Sequence, residues 1–252
     1  MKLSISDAKK HRRLVSWIKL LGAMNEEMTL TINDEGISAR SMDSSHVEMI
    51  DCTIPPSTFD DYVIDEEVKV TVSITELKKV LERFDMNKDT TMIITHDVEK
   101  AQLLLKASRS DKRLRQFSVN LMDPLEDEMP EPKIMYNASV RIILEDFEEA
   151  LISANMYTEN VVFILTESTE PMLRVEGKGD LGAYWDEITA IEGTIKDDCK
   201  ATYTMSYLTE LVKALKPLSE MVTLHMSTDM PLHLNVELEG KLLLWLAPCI
   251  GA

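Results

Sequence analysis

Alternating polar and apolar side chains predict several antiparallel strands in this chain. The alternation has a period of two over residues 28–32, 68–74, 117–121 and 232–238. Such strands bury one face and expose the other to water, as is typical of antiparallel sheets. The uninterrupted apolar run at residues 242–247 has the length of a buried strand.

Four short segments show helical spacing of their apolar residues instead. They cover about residues 8–22, 75–84, 146–157 and 207–216. In the second segment, apolar residues lie at i, i+3, i+4 and i+7 counted from Leu77. None of these segments is long enough to be stable alone, so we expect each helix to pack on a sheet.

The order of these elements indicates an internal duplication. Residues 75–81 and 209–215 are identical at five of seven positions, 134 residues apart, and each segment lies between two predicted strands. The first and third helices occupy similar places near the start of each half. We therefore predict a duplicated unit of about 115–130 residues.

A proline-rich and acidic segment separates the two halves. Residues 121–132 contain three prolines and five acids, which is typical of an extended connector. We predict a first domain at 1–119, a connecting loop at 120–135 and a second domain at 136–252. Two apolar residues of this loop, Leu125 and Met129, are either spacers or part of an exposed groove.

The composition indicates a folded and strongly acidic protein. Of 252 residues, 44% are hydrophobic, and 27 basic side chains face 44 acidic ones, for a net charge of −17. Residues 1–126 hold 18 basic and 22 acidic side chains, so most of the acidic excess lies in the second half. A negative protein of this kind is not expected to bind nucleic acid over its general surface.

Motifs for catalysis, metal binding and membrane insertion are missing from the sequence. The three cysteines are widely spaced, which favours a reducing compartment. The N-terminus does not resemble a signal peptide and no apolar run is long enough for a membrane span, so we expect a soluble cytoplasmic protein with no membrane partner. His225 and His233 could meet across neighbouring strands, but the histidines form no ligand pattern. We therefore predict no catalytic residue, no metal site and no cofactor.

Basic side chains nevertheless gather on three of the four predicted helices. For each helix, an ordinary solvated surface is one interpretation, and a surface that faces an anion is the other. Three such helices at equivalent positions of an acidic chain favour the second. The third helix is acidic in its first turn, which complements the helix dipole. The candidate anion-facing residues are Lys9, Lys10, Arg12, Arg13, Lys19, Lys79, Arg83, Lys213 and Lys216.

Three stretches then resemble one protein family. Residues 34–47, and above all Met42–Val47 (Met-Asp-Ser-Ser-His-Val), closely resemble a motif of the proliferating cell nuclear antigen family of archaea and eukaryotes. Residues 120–123 resemble the entry to that family's connecting loop. Residues 246–248 with Ile250 resemble its C-terminal motif. The resemblance covers essentially the whole chain and is closest to the archaeal type.

The resemblance implies an α+β, two-domain DNA-clamp fold made of duplicated βαβββ units. Three subunits would join head to tail in a ring, with the helices lining a central pore and the sheets outside. The ring would encircle double-stranded DNA without reading its sequence. It would be a non-enzymatic processivity factor in DNA replication and repair, which tethers DNA polymerase and other clients and needs a separate clamp loader.

The resemblance also implies an apolar groove beneath the connecting loop that holds short peptide motifs of client proteins. A plain core position is the other interpretation for Val47, Trp245 and Ile250. The residues that match the groove are Met42, His46, Val47, Leu121, Leu125, Met129, Pro231, Trp245, Ala247, Pro248 and Ile250.

A head-to-tail ring offers one explanation for the uneven charge. We hypothesise that a basic cluster late in the first half faces acids of the third helix of the next subunit. A solvated loop is the alternative for the basic cluster. The residues concerned are Arg109, Lys112, Arg113 and Arg115 on one side, and Glu145, Asp146 and Glu149 on the other.

Two other functions are compatible with the sequence. The chain could be one subunit of a heterotrimeric clamp. It could also be a small-molecule α+β enzyme with a carboxylate-based site, which the missing motifs disfavour.

Overall fold

The computed structural model describes residues 1–86, 90–110, 113–124 and 129–250. The chain forms two compact units. The first unit comprises residues 1–41, 51–129 and 239–241. The second comprises residues 42–50, 130–238 and 242–252.

The first unit contains two helices and most of the first nine strands. In chain order its elements are β1 (Lys2–Ile5), α1 (Ala8–Met24), β2 (Glu27–Asn33), β3 (Gly36–Met42), β4 (Glu48–Ile54), a 3₁₀ turn (Pro56–Thr58), β5 (Asp61–Val63), β6 (Val68–Ser73), α2 (Ile74–Leu81), β7 (Thr90–Asp97), β8 (Gln102–Arg109) and β9 (Leu114–Met122). β3 ends and β4 begins in residues assigned to the second unit. Paired strands within the first unit follow the order β3-β2-β6-β9-β8-β7-β1-β5.

The second unit repeats this order of elements. It contains β10 (Ala138–Ile143), α3 (Leu144–Ala154), β11 (Asn160–Leu165), β12 (Met172–Gly179), β13 (Gly182–Thr189), β14 (Glu192–Ile195), β15 (Cys199–Thr204), α4 (Met205–Leu215), β16 (Met221–Met226), β17 (Leu232–Asn235) and β18 (Lys241–Leu246). The strands pair in the orders β14-β10-β16-β17-β18 and β13-β12-β11-β15. Apart from the short strands β5 and β14, the chain is four successive βαβββ units, which confirms the α+β class and the duplication.

The helices bury the apolar faces that the sequence predicts. In α1, Leu14, Ile18 and Leu21 are almost fully buried, and the Asp7 carboxylate caps the helix by accepting hydrogen bonds from the backbone amides of Lys9 and Lys10. In α3 and α4, each buried face likewise contributes apolar side chains to the core. α1 packs beside α2, and α3 packs beside α4. The core therefore lies between paired helices and sheets.

Two of the alternating strands end earlier in the structure than the sequence predicts. The strand predicted at 232–238 ends at Asn235, because the chain turns there and the Val236 amide donates to the Leu242 carbonyl. The strand predicted at 68–74 ends at Ser73, whose hydroxyl accepts a hydrogen bond from the Glu76 amide and caps α2. Strand β18 confirms the buried apolar run.

Candidate functional site

The candidate anion-facing cations lie on the solvent side of α1, α2 and α4, not in the core. Lys9, Arg12 and Lys213 are exposed or half-exposed, and Arg13 is half-buried at the helix surface. Arg83 differs from the prediction. It lies in the turn after α2, because that helix ends at Leu81.

Acidic side chains of the same chain form ion pairs with five of these nine cations. Ion pairs connect Lys10 with Asp60 (2.9 Å), Arg13 with Glu239 (3.5 Å), Lys19 with Glu82 (3.0 Å), Lys79 with Glu76 (2.7 Å) and Lys216 with Glu148 (2.5 Å). Within the described ranges, Lys9, Arg12, Arg83 and Lys213 have no such acidic partner. The helix surfaces therefore offer fewer uncompensated charges than the sequence suggests.

The acids of α3 are accessible, as the interface hypothesis requires. Glu145 and Asp146 lie in the first turn of the helix, and Glu149 follows one turn later. Lys216 reaches Glu145 only at 3.9 Å. These carboxylates are therefore available to a partner of opposite charge.

The basic cluster of the first unit lies where β8 ends and β9 begins. Arg109, Arg113 and Arg115 line a pocket of about 80 Å³ together with Phe84, whose ring packs edge-on against Phe117 at 5.4 Å. Lys112, the fourth predicted member of this cluster, lies outside the described residues. The structure therefore brings three of the four cations around one small pocket.

In the described part of the chain, strands β9 and β13 have an unpaired edge over part or all of their length, as do β5, β14 and β15. Strand β9 pairs with β8 along most of its length and with β6 only at Leu121 and Met122. Strand β13 pairs with β12 alone. A strand edge without a neighbouring strand is the usual requirement for pairing with another chain.

The predicted groove residues of the central loop, residues 43–48, surround a tight turn. One oxygen of the Asp43 carboxylate accepts hydrogen bonds from the amides of Val47 and Glu48, both at 2.7 Å, and the other accepts from Ser45 at 3.0 Å. His46 adopts a φ of 57° at the tip of the loop. Asp43 thus fixes the loop and leaves the His46 side chain exposed.

The C-terminal segment is tied to this loop. The Ala247 amide donates to the Val47 carbonyl at 2.8 Å, and the Cys249 amide donates to the Thr202 carbonyl at 2.8 Å. Of the positions for which a core role was the alternative, Trp245 is 6% exposed, Val47 is half-buried and Ile250 is 84% exposed. Loop and C-terminal segment thus form one surface that includes an exposed apolar end.

A row of aromatic rings crosses three strands of the second unit. His225 lies opposite His233, and His233 lies opposite Trp245, in antiparallel register. The ring centroids of His225 and His233 are 4.9 Å apart, and those of His233 and Trp245 are 4.8 Å apart. Tyr136 lies within 6 Å of both histidines, at 5.9 and 5.7 Å. The two histidines therefore do meet.

Burial keeps this row of rings neutral near pH 7. Desolvation, with a smaller contribution from His225, lowers the pKa of His233 to about 4. Desolvation also lowers the pKa of His225 and raises the pKa of Tyr136 to about 12. The His233 Nε2 atom is buried and has no hydrogen-bond partner in the described structure. The row is therefore an apolar, aromatic layer in which Trp245 is buried and Tyr136, His225 and His233 are half-buried.

The groove residues nearer the connector belong to the first unit. Leu121 lies in β9, and the Met129 carbonyl accepts a hydrogen bond from Arg40 Nη1 at 3.2 Å. Arg40 is held in turn by the buried carboxylate of Asp51, which also accepts from Lys241 Nζ at 2.7 Å. Leu125 lies outside the described residues. An ion-pair network thus holds the connector at Met129.

Sequence reasoning missed Glu48 and Tyr136. Glu48 is buried at the start of β4, and its signal was an acid that interrupts an apolar stretch directly after the recognised motif. Tyr136 follows the connector and offered no signal, because the aromatic row depends on strand register.

In the part of the chain that the structure describes, no three or more His, Cys, Asp or Glu side chains form a group suited to a metal ion. No helix there is long and apolar enough to cross a membrane.

Comparison with known families decides between the possible identities. The N-terminal domain model of proliferating cell nuclear antigen matches residues 3–128, and the C-terminal domain model matches residues 131–249. The chain belongs to the proliferating cell nuclear antigen family. Both halves of the duplicated chain are thereby assigned, and the resemblance of the short motifs is confirmed.

Archaeal relatives agree with this assignment. The DNA polymerase sliding clamp of Pyrococcus abyssi is 30% identical over 236 residues, which cover 92% of each chain. The DNA polymerase sliding clamp of Cenarchaeum symbiosum is 29% identical over 243 residues, covering 93% of this chain and 94% of the relative.

Solved structures confirm the fold. Proliferating cell nuclear antigen from Thermococcus kodakaraensis superposes with a TM-score of 0.85 at 20% identity, over 98% of this chain and 99% of that one. A complex of PCNA2 and PCNA3 from Sulfolobus tokodaii gives a TM-score of 0.83, also at 20% identity and with the same coverage.

Proposed function

We propose that this chain is a subunit of a DNA sliding clamp, a non-enzymatic ring that encircles duplex DNA and tethers DNA polymerase. The observation that carries the proposal is the match of both family domain models, which together span nearly the whole chain. Relatives that cover about nine-tenths of the chain are named DNA polymerase sliding clamps. The chain would work in the cytoplasm, together with a clamp loader and other replication and repair proteins.

The helix cations are proposed to face the DNA. Their partial neutralisation by acids such as Glu82 and Glu148 suits a clamp that must slide, because each strong bond to a phosphate would hold the ring in place. Lys9, Arg12, Arg83 and Lys213 have no such acid in the described structure and are the proposed main DNA-facing cations.

This proposal predicts a specific effect of salt. Replacing Arg12 and Lys213 by glutamine should weaken retention on DNA and lower the slope of log affinity against log salt by about one for each phosphate that is no longer neutralised. The matched control is Lys178→Gln, an exposed lysine on β12. Retention of the loaded protein on circular duplex DNA is the measurement. Equal weakening in the control and the helix variants would contradict the proposed DNA-facing surface.

Self-association is proposed to use two surfaces. The unpaired edges of β9 and β13 are suited to pair between subunits, and the arginines of the β8–β9 region would face Glu145, Asp146 and Glu149.

Reversing one charge, as in Arg113→Glu or Glu149→Lys, should reduce the oligomer, and combining both should restore part of it. Sedimentation of the single and double variants tests this. An unchanged oligomer in both single variants would refute the pairing.

A homotrimer is the first form we propose, and one subunit of a heterotrimer is the second. The second form is kept because one of the structures that share the fold is a complex of two different proteins, PCNA2 and PCNA3. Native mass spectrometry of the pure chain separates them, because a subunit of a heterotrimer should not form a trimer alone.

Client peptides are proposed to bind beside the connector, on the surface formed by the central loop, the aromatic row and the C-terminal segment. This assignment uses domain bounds at 1–119 and 136–252, with the connecting loop at 120–135. Val47→Glu should abolish peptide binding and leave the oligomer intact, since a charge would enter an apolar surface. Peptide pull-down together with sizing checks both parts.

A further inference from the structure

Glu48 is a buried carboxyl group without a counter-charge. The residue is 6% exposed, and its Oε1 atom has no hydrogen-bond partner in the described structure. A buried carboxyl group normally has hydrogen bonds or a cation that compensate for lost hydration. In the protein without a bound partner, the hydration that the Glu48 carboxyl group lost on burial is therefore not compensated.

The surroundings of Glu48 are acidic as well. The charged groups that face it are Asp43 in the central loop and Glu210 on α4. Both Asp43 oxygens already accept backbone amides, so Asp43 cannot donate to Glu48 in its ionised form. Burial, and then the charges of Asp43 and Glu210, raise the pKa of Glu48 to about 8. Glu48 is accordingly protonated near pH 7 unless a cation approaches.

This acidic group lies directly beside the proposed client surface. Glu48 follows Val47, whose carbonyl oxygen accepts the hydrogen bond from Ala247. A peptide that lies across the central loop and the C-terminal segment would pass close to Glu48. Charge complementarity then specifies what such a peptide has to carry.

We propose that Glu48, with Asp43 and Glu210, receives a lysine or arginine side chain of a client peptide bound at the central loop. The inference rests on the proposed function. A cationic side chain suits the site better than a metal ion, because Asp43 is occupied by backbone amides. A long aliphatic stem can also cross the half-buried Val47 and carry its charge inward.

Binding of the cation has a proton balance that can be measured. Below about pH 8, Glu48 must lose its proton to solvent before it pairs with the peptide cation. Affinity for a lysine peptide should therefore rise about tenfold per pH unit up to about pH 8 and level off above it. A peptide with an uncharged side chain at the same position should not show this rise.

The test uses short fluorescein-labelled peptides rich in phenylalanine and leucine. In one set a single lysine moves along the peptide, and in the matched set norleucine replaces it. Fluorescence anisotropy with the full-length protein gives Kd from about pH 6 to about pH 9. We expect one lysine position to improve Kd roughly tenfold over norleucine at high pH and to show the predicted pH dependence. The comparison of the two sets removes pH effects that both share.

Two variants connect the effect to Glu48. Glu48→Gln keeps the shape of the protonated side chain and should remove the lysine preference and its pH dependence. Glu167→Gln, which removes an exposed charge elsewhere in the second unit, should change neither. Calorimetry of the unmodified protein in buffers of different ionisation enthalpy gives a second readout, with release of up to one proton per lysine peptide near pH 7 and none per norleucine peptide.

The possible outcomes distinguish this inference from the proposed function. If norleucine peptides bind and no lysine position improves Kd or releases a proton, the cation site is wrong and the groove stands. If neither set binds at any pH, the groove itself is wrong and the inference fails with it. A lysine preference that survives Glu48→Gln would also overturn the assignment.

Discussion

The buried carboxyl group of Glu48 should make the folding stability of the free protein depend on pH in an unusual direction. Its pKa rises from 4.5 to about 8 on folding, chiefly through burial and then through Asp43 and Glu210. The folded chain therefore holds a proton that the unfolded chain releases between these values. The stability contributed by this group is complete below pH 4.5, falls as the pH rises, and is lost above about pH 8.

The magnitude follows from the size of the shift. At about 1.36 kcal/mol per pKa unit, the folding stability lost between low pH and a pH well above 8 is roughly 5 kcal/mol. The part of this loss that occurs between pH 5 and pH 8 is about 4 kcal/mol. Glu48→Gln carries no titrating proton and keeps the same shape. We expect it to have nearly the stability of the parent at pH 5 and to be more stable by several kcal/mol at pH 8.

Urea unfolding followed by circular dichroism across this pH range measures the effect. The oligomer must first be checked by sizing, because dissociation also changes apparent stability. Glu167→Gln provides the matched control and should track the parent protein at every pH. A constant difference between Glu48→Gln and the parent from pH 5 to pH 8 would refute the buried, uncompensated state of Glu48.

Three further predictions concern other buried or strained positions. Asp51→Ala leaves two cations without their shared buried carboxylate and should cost about 2 kcal/mol in urea unfolding, whereas the exposed Asp65→Asn should cost little. His233→Phe keeps the ring stack and removes a histidine whose pKa is lowered from 6.5 to about 4. The parent protein should lose about 2 kcal/mol of folding stability as the pH falls through this window, once solvent screening of the half-buried ring is allowed for. The variant should retain this stability in acid titrations. Gly36→Ala should destabilise by about 2 kcal/mol or more in thermal unfolding, because Gly36 has a φ of 134° and a Cβ there would lie 2.2 Å from the Ile54 carbonyl oxygen, and normal stability would contradict this geometry.

The periodicity of the sequence was sufficient for the elements themselves. All four predicted helices and the four predicted alternating strands are present, because apolar spacing directly reflects which face of an element is buried. Errors occurred at boundaries. The strand pattern at 68–74 extends to Ile74, yet that residue begins α2, since a buried apolar residue satisfies both patterns where a strand runs directly into a helix.

The surface chemistry was less predictable than the fold. The helical pattern correctly placed Lys19 and Lys216 on accessible faces, but it could not reveal that Glu82 and Glu148 neutralise them, because those acids come from other elements. Strand alternation likewise allowed His225 and His233 to meet. Only the register of β16 against β17 brings their rings together.

The sequence by itself determined the elements and their duplication through periodicity, and the family, with the α+β class and the βαβββ units that it implies, through the resemblance of short motifs. Periodicity and short motifs are both local properties of the chain. The tertiary structure alone decided which charges are compensated and which side chains are neutral. Ion pairing and desolvation depend on distances between residues far apart in sequence, as for Lys216 with Glu148 or Glu48 with Glu210. The buried acid beside the central loop therefore became visible only when the chain was folded.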